Sequence, residues 1–301
     1  MSTHEETINL GVLLSVCIDA AVKAGEIIRK VWKSNDLQIQ DKGVDDLFTK
    51  ADVQSQQLIM ALLRKKFGSN LALVGEEECE IPETNETPVE NLVDLTKVPA
   101  EYQNATLKDV CVFIDPLDAT KEFTLGNLEA VMSLVGIGYK GLAVGGVMYM
   151  PFVDSKSDPG KGTLIYGMLG GLGVHGIEIK ERNDGRVIIA TTRTHGTPEV
   201  EKAIELIKPD EVMRVGGAGH KVVILLQGRA DAYVFPTPGT KKWDTCAPEA
   251  IVKCLGGNLT DMYGKPLPYW PNSPAHNKEG VLCALRNFDK FTTALQPMWK
   301  K

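Results

Sequence analysis

The sequence predicts an α/β protein built from two halves, an α+β half over residues 1–185 and an α/β half over residues 186–301. Two features of its 301 residues lead to this fold class. Hydrophobic residues make up 43% and charged residues 24%, the balance of a globular chain with a sizeable core. After Arg186 the pattern changes to short apolar strands alternating with helices. We therefore expect two domains with a boundary near residue 185.

The first half begins with two predicted helices. Apolar residues recur at helical spacing over residues 7–33, and again over 52–67, where Gly68 ends the pattern. A short apolar run over 71–74 predicts a buried strand. Residues 76–109 are strongly acidic and contain three prolines, so we expect a surface excursion with a short helix near 89–95.

A group of β-rich segments follows this excursion. Residues 110–114 form an apolar run that predicts a buried strand. The segments 130–139, 142–152 and 162–168 are apolar and rich in glycine, which predicts strands with tight turns and bulges.

The second half alternates strands with helices. Short apolar runs predict strands, and 3.6-residue periodicity between them predicts helices. The predicted strands are 187–191, 232–235 and 281–285, and the predicted helices are 197–207, 218–226, 244–254 and 288–295.

Charge and cysteine content restrict the functional classes. The net charge of −6 argues against binding to a nucleic acid polymer, which rests mostly on neutralising phosphates. No apolar run reaches the ~18 residues of a membrane span, and the N-terminus is acidic where a signal peptide is basic. Six scattered cysteines without a CxxC pair indicate buried thiols in a reducing compartment. We expect a cytoplasmic protein without a membrane partner.

Acidic residues stand where apolar strands stop or helices begin. They are Glu76 and Glu77, Asp115 and Asp118, Asp244, and Asp52. Ligands bind at strand ends in α/β folds, and oxygen-only donor sets suit Mg²⁺. Each motif alone is more often a turn or a solvated surface, and Asp52 alone reads best as a helix N-cap or first-turn acid.

Three of these motifs resemble the signatures of the lithium-sensitive, magnesium-dependent phosphatases of the inositol monophosphatase superfamily. They are Gly75-Glu-Glu77, Asp115-Pro-Leu-Asp-Ala-Thr120 and Trp243-Asp244. Their order and separations match that family over nearly the whole chain. The runs Val215-Gly-Gly-Ala-Gly-His-Lys221 and Lys241-Lys-Trp-Asp-Thr-Cys-Ala-Pro-Glu249 resemble the 3′(2′),5′-bisphosphate nucleotidase branch.

The resemblance implies a layered αβαβα sandwich and a metal site. It implies two or more Mg²⁺ ions, with Li⁺ as an inhibitor. It also implies that Asp52 accepts the proton of Thr120, whose hydroxyl takes a proton from the attacking water. The implied metal ligands are Glu76, Asp115, the Leu117 carbonyl, Asp118 and Asp244.

Substrate contacts are also implied by the resemblance. The residues are Ala119, Thr120, Thr192, His195, Gly217 and Lys221. The glycine-rich turn over 216–219 precedes a predicted helix, and we expect it to offer N–H donors to a phosphate. The family usually has glycine where this chain has Ala119, which keeps the N–H but disfavours positive φ. His195 has the alternative of capping the following helix. The roles of Glu77, Arg193 and His220 stay open.

The implied activity is removal of the 3′-phosphate of adenosine 3′,5′-bisphosphate and of 3′-phosphoadenosine 5′-phosphosulfate. The alternative within the class is an inositol polyphosphate 1-phosphatase acting on inositol 1,4-bisphosphate. A non-enzymatic binding protein on the same fold is disfavoured, because every expected carboxylate and Thr120 are present.

Overall fold

The computed structural model describes residues 5–43, 46–156, 158, 160–193 and 196–299. Its α-helices are α1 (Leu10–Ser34), α2 (Lys50–Phe67), α3 (Ala100–Gln103), α4 (Thr120–Leu125), α5 (Pro198–Ile207), α6 (Ala218–Leu226), α7 (Lys242–Cys254) and α8 (Phe288–Leu295). The strands of the first half are β1 (Thr7–Ile8), β2 (Gln40–Gly43), β3 (Asp46–Phe48), β4 (Ala72–Gly75), β5 (Ala105–Thr106), β6 (Val110–Asp118), β7 (Met132–Tyr139), β8 (Leu142–Asp154), β9 (Gly162–Met168) and β10 (Gly173–His175). Those of the second half are β11 (Ile188–Thr192), β12 (Glu211–Val215), β13 (Ala232–Phe235), β14 (Thr240–Lys241), β15 (Asn258–Thr260), β16 (His276–Asn277) and β17 (Val281–Ala284).

Two mixed sheets form the framework. The first has six strands in the order β10-β9-β8-β7-β6-β4, antiparallel except for the parallel pair β4 and β6. The second has five strands in the order β12-β11-β13-β17-β15, with β12, β11 and β13 parallel. In the second sheet β17 runs antiparallel to both of its neighbours, β13 and β15.

The helices lie in layers between and outside the sheets. Helices α1 and α2 pack on one face of the first sheet, and α7 packs on its other face. Helices α6 and α7 fill the space between the sheets, while α5 and α8 cover the outer face of the second sheet. The predicted α/β class and αβαβα layering are confirmed.

Capping and close packing explain the two long helices of the first half. The Asn9 side chain accepts the N–H groups of Gly11 and Val12 at the start of α1. Thr49 and Asp52 form a capping box at the start of α2. Gly25 is required where α1 crosses the sheet, since a Cβ there would lie 2.2 Å from the Tyr149 ring.

Most predicted elements are present, with three kinds of error. The helix expected near 89–95 is wrong; the chain there makes a single 3₁₀ turn, Leu95–Lys97, before α3. The strand expected over 110–114 continues through the carboxylates to Asp118. The short strands β2, β3, β10, β12 and β15 were not predicted, because their few residues lack a clear apolar alternation.

The boundary near residue 185 stays a prediction. The first sheet ends at His175 and the second begins at Ile188, as that boundary requires. Helix α7, however, comes from the second half and packs on the first sheet, so the two halves share one core.

Two further expectations concern membranes and cysteines. In the described part of the chain no helix is both long and apolar enough to cross a membrane. All six cysteines are free thiols, and four of them are buried. Burial raises the pKa of Cys111 to about 12, which keeps it protonated and chemically inert.

Candidate active site

The end of β6 positions the first two carboxylates. A bulge between Asp115 and Asp118 interrupts the pairing of β6 with β7, and Pro116 lies inside this bulge. The Leu117 N–H donates to Asp115 at 3.0 Å, and the Pro116 carbonyl accepts from the Ser133 hydroxyl at 2.7 Å. The bulge therefore turns both carboxylates of a buried strand into one cleft.

This cleft of about 460 Å³ lies where β6, β11 and β13 end and where α4, α6 and α7 begin. It brings together ten of the twelve residues predicted for the site. They are Glu76, Asp115, Leu117, Asp118, Ala119, Thr120, Thr192, Gly217, Lys221 and Asp244. Asp52 lies behind Thr120, and His195 lies outside the described residues.

Asp52 and Thr120 are in direct contact. The Thr120 hydroxyl lies 3.0 Å from Asp52 Oδ1 and 3.0 Å from the Leu117 carbonyl oxygen, and it donates its one proton to either. Asp52 Oδ2 accepts the Thr49 N–H at 2.7 Å and its hydroxyl at 2.6 Å. Asp52 thus caps α2 with one oxygen and faces Thr120 with the other, so the helix-cap interpretation is confirmed and its role as proton acceptor stays a prediction. Burial is the main cause that raises its pKa to about 6.

Asp118 is held by the start of α6. Its carboxylate accepts the N–H of Ala218 at 3.0 Å and that of Gly219 at 2.8 Å. The glycine-rich turn was expected to offer these N–H groups to a phosphate, and the structure corrects this: they orient a carboxylate. The helix N-terminus also stabilises its charge, in opposition to the burial that raises the Asp118 pKa.

Asp244 enters from the opposite side of the cleft on the first turn of α7. Its Oδ2 accepts the Lys241 N–H at 2.6 Å. Burial raises the pKa of Asp244 to about 7, with the charge of Asp118 as a further cause. For Asp115 burial again comes first, followed by the charges of Glu76, Asp118 and Asp244. Four acidic groups in one buried cleft repel one another, and only cations or protons offset that repulsion.

The donor set fits Mg²⁺ by its chemistry. All of its ligating atoms are carboxylate or carbonyl oxygens, the donors that hard divalent cations prefer. Within the described ranges no three Asp, Glu, His or Cys groups already stand in a finished ligand arrangement. Asp118 accepts backbone N–H groups, and Asp115 and Asp244 share a hydrogen bond.

We expect Mg²⁺ to stabilise the protein more at about pH 8 than at about pH 5. Between the unfolded pKa of 3.8 and folded values of about 6 for Asp52 and about 7 for Asp244, the folded chain holds protons that the unfolded chain has released. The contribution of these groups to stability therefore falls as pH rises through that window. Mg²⁺ competes with protons for these carboxylates, and its charge offsets the repulsion between them once they are ionised at the higher pH. Thermal unfolding is measured at both pH values, in MgCl₂ and in NaCl of equal ionic strength. A Tm difference between the two salts that is the same at both pH values would contradict the prediction.

Lys221 lies closer to the carboxylates than the sequence indicated. It is buried, its Nζ donates to the Gly217 carbonyl at 2.8 Å, and it stands 5.2 Å from the centre of the Tyr233 ring. Burial lowers its pKa to about 8, against the opposing charges of Asp118, Asp244 and Glu122. Lys221 thus adds positive charge to the wall of the acidic cleft itself.

Ala119 adopts the backbone conformation that glycine prefers. Its φ of 73° and ψ of 43° are left-handed, at the position immediately before α4. We expect Ala119→Gly to stabilise the protein by about 1 kcal/mol, since alanine is strained there and glycine is not. Urea denaturation measures the change. The matched control is Ala130→Gly, in a 3₁₀ turn without positive φ, which should destabilise the fold. A destabilising Ala119→Gly would contradict the prediction.

Sequence reasoning missed Glu122. This buried carboxylate lines the cleft, pairs with Arg193 at 2.7 Å and accepts from the Asn127 side chain at 2.7 Å. A Cβ at Gly216 would come within 2.2 Å of its Oε1, so glycine is needed there. Glu122 is visible in the sequence as an acidic residue two positions after Thr120. Its partner Arg193 is 71 positions away in the chain, so the sequence does not indicate the ion pair.

The three residues with open roles are now located. Arg193 forms the ion pair with Glu122 and does not line the cleft. Glu77 is buried beside Asp52, whose pKa its charge helps to raise. His220 is buried in α6 and its Nδ1 has no hydrogen-bond partner; burial lowers its pKa, so it stays neutral. None of the three lines the cleft.

Comparison with known proteins agrees with this geometry. The family model described as "Inositol monophosphatase family" matches residues 9–298. The chain is 41% identical to "3′(2′),5′-bisphosphate nucleotidase 1" of Dictyostelium discoideum, covering 97% of this chain and 98% of that protein. It is also 41% identical to the Homo sapiens protein of the same name, covering 93% of each.

Solved structures show the same fold at lower identity. The extragenic suppressor protein suhB from Bartonella henselae superposes with a TM-score of 0.69 at 21% identity, covering 94% of this chain and 98% of that one. CysQ from Bacteroides thetaiotaomicron, described as a bacterial member of the inositol monophosphatase family, has a TM-score of 0.65 at 23% identity, covering 91% and 98%. From its layered fold, its acidic cleft and these matches, the chain is a member of the inositol monophosphatase family, whose members are generally Mg²⁺-dependent.

Proposed function

We propose that this protein is a Mg²⁺-dependent phosphatase that removes the 3′-phosphate of adenosine 3′,5′-bisphosphate. The observation that carries the proposal is the identity of 41% to bisphosphate nucleotidases over nearly the whole chain. The contact between Asp52 and Thr120 at the edge of an acidic cleft supports it chemically. As finer parts of the same proposal, the enzyme also accepts 3′-phosphoadenosine 5′-phosphosulfate and works in the cytoplasm, which its free thiols support.

The metal centre in this proposal is formed by carboxylates from both halves of the chain. Glu76, Asp115, Asp118, Asp244 and the Leu117 carbonyl would hold two or more Mg²⁺ ions. When bound, such ions lower the pKa of water, neutralise phosphate oxygens and stabilise the leaving oxygen. Li⁺, close to Mg²⁺ in size with half its charge, is proposed to inhibit.

The protein's own groups move the proton. Asp52 Oδ1 accepts the hydrogen of the Thr120 hydroxyl, which orients the lone pairs of that oxygen toward the cleft. The hydroxyl can then accept a proton from the attacking water while passing its own to Asp52. A pKa of about 6 makes Asp52 a carboxylate at neutral pH that can still take up a proton in the reaction.

Recognition of the substrate is assigned to Lys221, Thr192 and Gly217, which line the cleft. Lys221 supplies a desolvated positive charge. Ala119 and Thr120 lie at the start of α4 and line the cleft, and the free N–H groups of the first turn are proposed as phosphate donors. His195 is kept in this set as a prediction from the family resemblance.

We expect Lys221→Ala to lower kcat/KM for adenosine 3′,5′-bisphosphate by about tenfold, the loss of a charge-assisted contact of roughly 1.5 kcal/mol. The Mg²⁺ concentration at half-maximal activity should change as well, because Lys221 opposes the charge of Asp118 and Asp244. Lys202→Ala, at an exposed position of α5 outside the cleft, is the control. Unchanged kcat/KM in Lys221→Ala would remove Lys221 from the substrate site.

Phosphate release tests the activity itself. We expect turnover of adenosine 3′,5′-bisphosphate that requires Mg²⁺ and falls at millimolar Li⁺. Inositol 1,4-bisphosphate is the alternative substrate, and relatives named "Inositol monophosphatase 3" at 29% and 31% identity make it the necessary comparison. A higher kcat/KM for the inositol ester would overturn the nucleotide assignment, and no Mg²⁺-dependent release from either would overturn the phosphatase assignment.

A further inference from the structure

A second cavity, of about 700 Å³, lies at the other end of the second sheet from the active-site cleft. The parallel strands show this separation. Thr192 at the end of β11 and Phe235 at the end of β13 line the cleft, whereas Val187 and Asp231, just before those strands, line the cavity. Strands of four and five residues separate the two by more than ~13 Å. None of its lining residues belongs to the proposed active site.

The cavity has an apolar floor. Leu225 from α6, Ala230 before β13 and Phe291 from α8 line it, and all three are at least 95% buried. Its volume falls in the range of sites for small organic ligands and far exceeds that of an inorganic ion. The floor therefore suits the apolar or aromatic part of an organic molecule.

The rim of the cavity is cationic in a chain of net charge −6. Its basic residues are Lys180, Arg182, Arg186, Arg286 and Lys290, against two acidic residues, Glu181 and Asp231. Arg186 pairs with Glu211, and Arg286 pairs with Glu181. All four side chains are exposed, and such ion pairs are worth only ~0–1 kcal/mol. The two lysines form no ion pair with any described residue. These cations are therefore available to an incoming anion.

Among the residues that the structure describes, two donor groups at the cavity lack an acceptor. Arg182 pairs with Asp184 and Asp231 through its terminal nitrogens, but its buried Nε has no hydrogen-bond partner. Helix α8 starts at the cavity, and its N-cap residue Asn287 makes no side-chain bond to the free N–H groups of the first turn. A buried donor without an acceptor is costly, and an anion relieves that cost.

We propose that this cavity binds a small organic anion, a phosphate or sulfate ester carried on an apolar or aromatic body. The apolar floor holds the body, and the rim cations with the start of α8 hold the acidic group. The proposal rests on this geometry alone and is independent of the proposed phosphatase activity.

Anilinonaphthalene sulfonate is the probe, because it joins an aromatic body to one negative group and fluoresces when it leaves water. The full-length protein is titrated with it and with neutral phenylnaphthylamine, which has the same body without the sulfonate. The test variant is Arg286→Glu with Lys290→Glu, both exposed and both lining this cavity only. The matched control is Lys156→Glu with Arg229→Glu, which line a third cavity of about 520 Å³.

We expect the test variant to bind the sulfonate at least about tenfold more weakly, and the neutral dye within about twofold of wild type. The control variant should bind both dyes as wild type does. Equal sulfonate affinity in wild type and test variant, an equal loss in the control variant, or no saturable binding in wild type would each overturn the proposal. If the glutamate variant fails to fold, Arg286→Gln with Lys290→Gln takes its place, with the same expected direction.

Discussion

Asp244→Asn is expected to lower kcat/KM for phosphate release by roughly a thousandfold. Asparagine keeps an oxygen that accepts the Lys241 N–H and so preserves the start of α7. It removes one negative charge from a cleft where burial and Asp118 already raise the pKa of Asp244 to about 7. The metal-free variant should therefore be as stable as wild type or more stable, while Mg²⁺ binding is lost.

The measurement pairs steady-state kinetics at saturating Mg²⁺ with thermal unfolding. Glu249→Gln is the matched control, a buried carboxylate of the same helix that accepts from Tyr269 and pairs with Lys253 outside the cleft. It should change stability and leave the Mg²⁺ dependence intact. Activity of Asp244→Asn within tenfold of wild type would remove Asp244 from the metal ligands.

Asp118 is a less clean position for the same test. Its carboxylate accepts the N–H groups of both Ala218 and Gly219, and asparagine offers only one acceptor oxygen. Asp118→Asn would therefore also disturb the start of α6. A loss of activity there would combine a metal effect with a structural one, which Asp244→Asn avoids.

Thr120→Val is expected to lower kcat by about a hundredfold with little change in KM or in the Mg²⁺ requirement. Valine has nearly the shape of threonine but lacks the hydroxyl that lies 3.0 Å from Asp52 Oδ1. Removing it breaks the proton path between water and Asp52. Asp52 keeps its place, because its cap on Thr49 is independent of Thr120.

Thr120→Ser is the control, since serine restores a hydroxyl at the same position and should recover most of kcat. Kinetics of the wild type and both variants across a Mg²⁺ series separate the possibilities. A rise in KM at unchanged kcat would make Thr120 a substrate contact instead of a proton relay.

The layers of the fold could be predicted because their signals are local. Helices α6 and α8 and strand β13 have the predicted bounds, and α1 and α2 differ from the predictions by three residues or fewer. Each repeats apolar residues at its own period over a full buried face. The prediction of a helix near 89–95 was wrong, because an acidic segment without apolar periodicity does not indicate a helix. Strands β12 and β15 were not predicted, because these segments of five and three residues are held as strands by pairing with β11 and β17.

The site, like the fold, could be predicted only in part. Asp52, Glu76, Asp115, Asp118, Thr120 and Asp244 stand out in the chain as acidic or hydroxyl groups at element ends, and the motif order points to one family. Their convergence was an inference from that family, and the cleft now brings all of them except Asp52 to its surface. The Glu122–Arg193 pair could not be found in this way, since Glu122 belongs to no recognised motif.

The set of elements, the family and the identity of the oxygen donors could be predicted before the structure, because these depend on periodicity and on residue type at short spacing. The tertiary structure alone decided how those donors are held. The N–H groups of the glycine-rich turn went to Asp118 instead of a phosphate, and Lys221 came to lie among the carboxylates. The left-handed backbone conformation of Ala119 also appears only in the tertiary structure. The physical reason is that hydrogen bonding and charge act over a few ångströms of space, and residues 100 positions apart in the chain meet only after the two sheets have packed around α6 and α7.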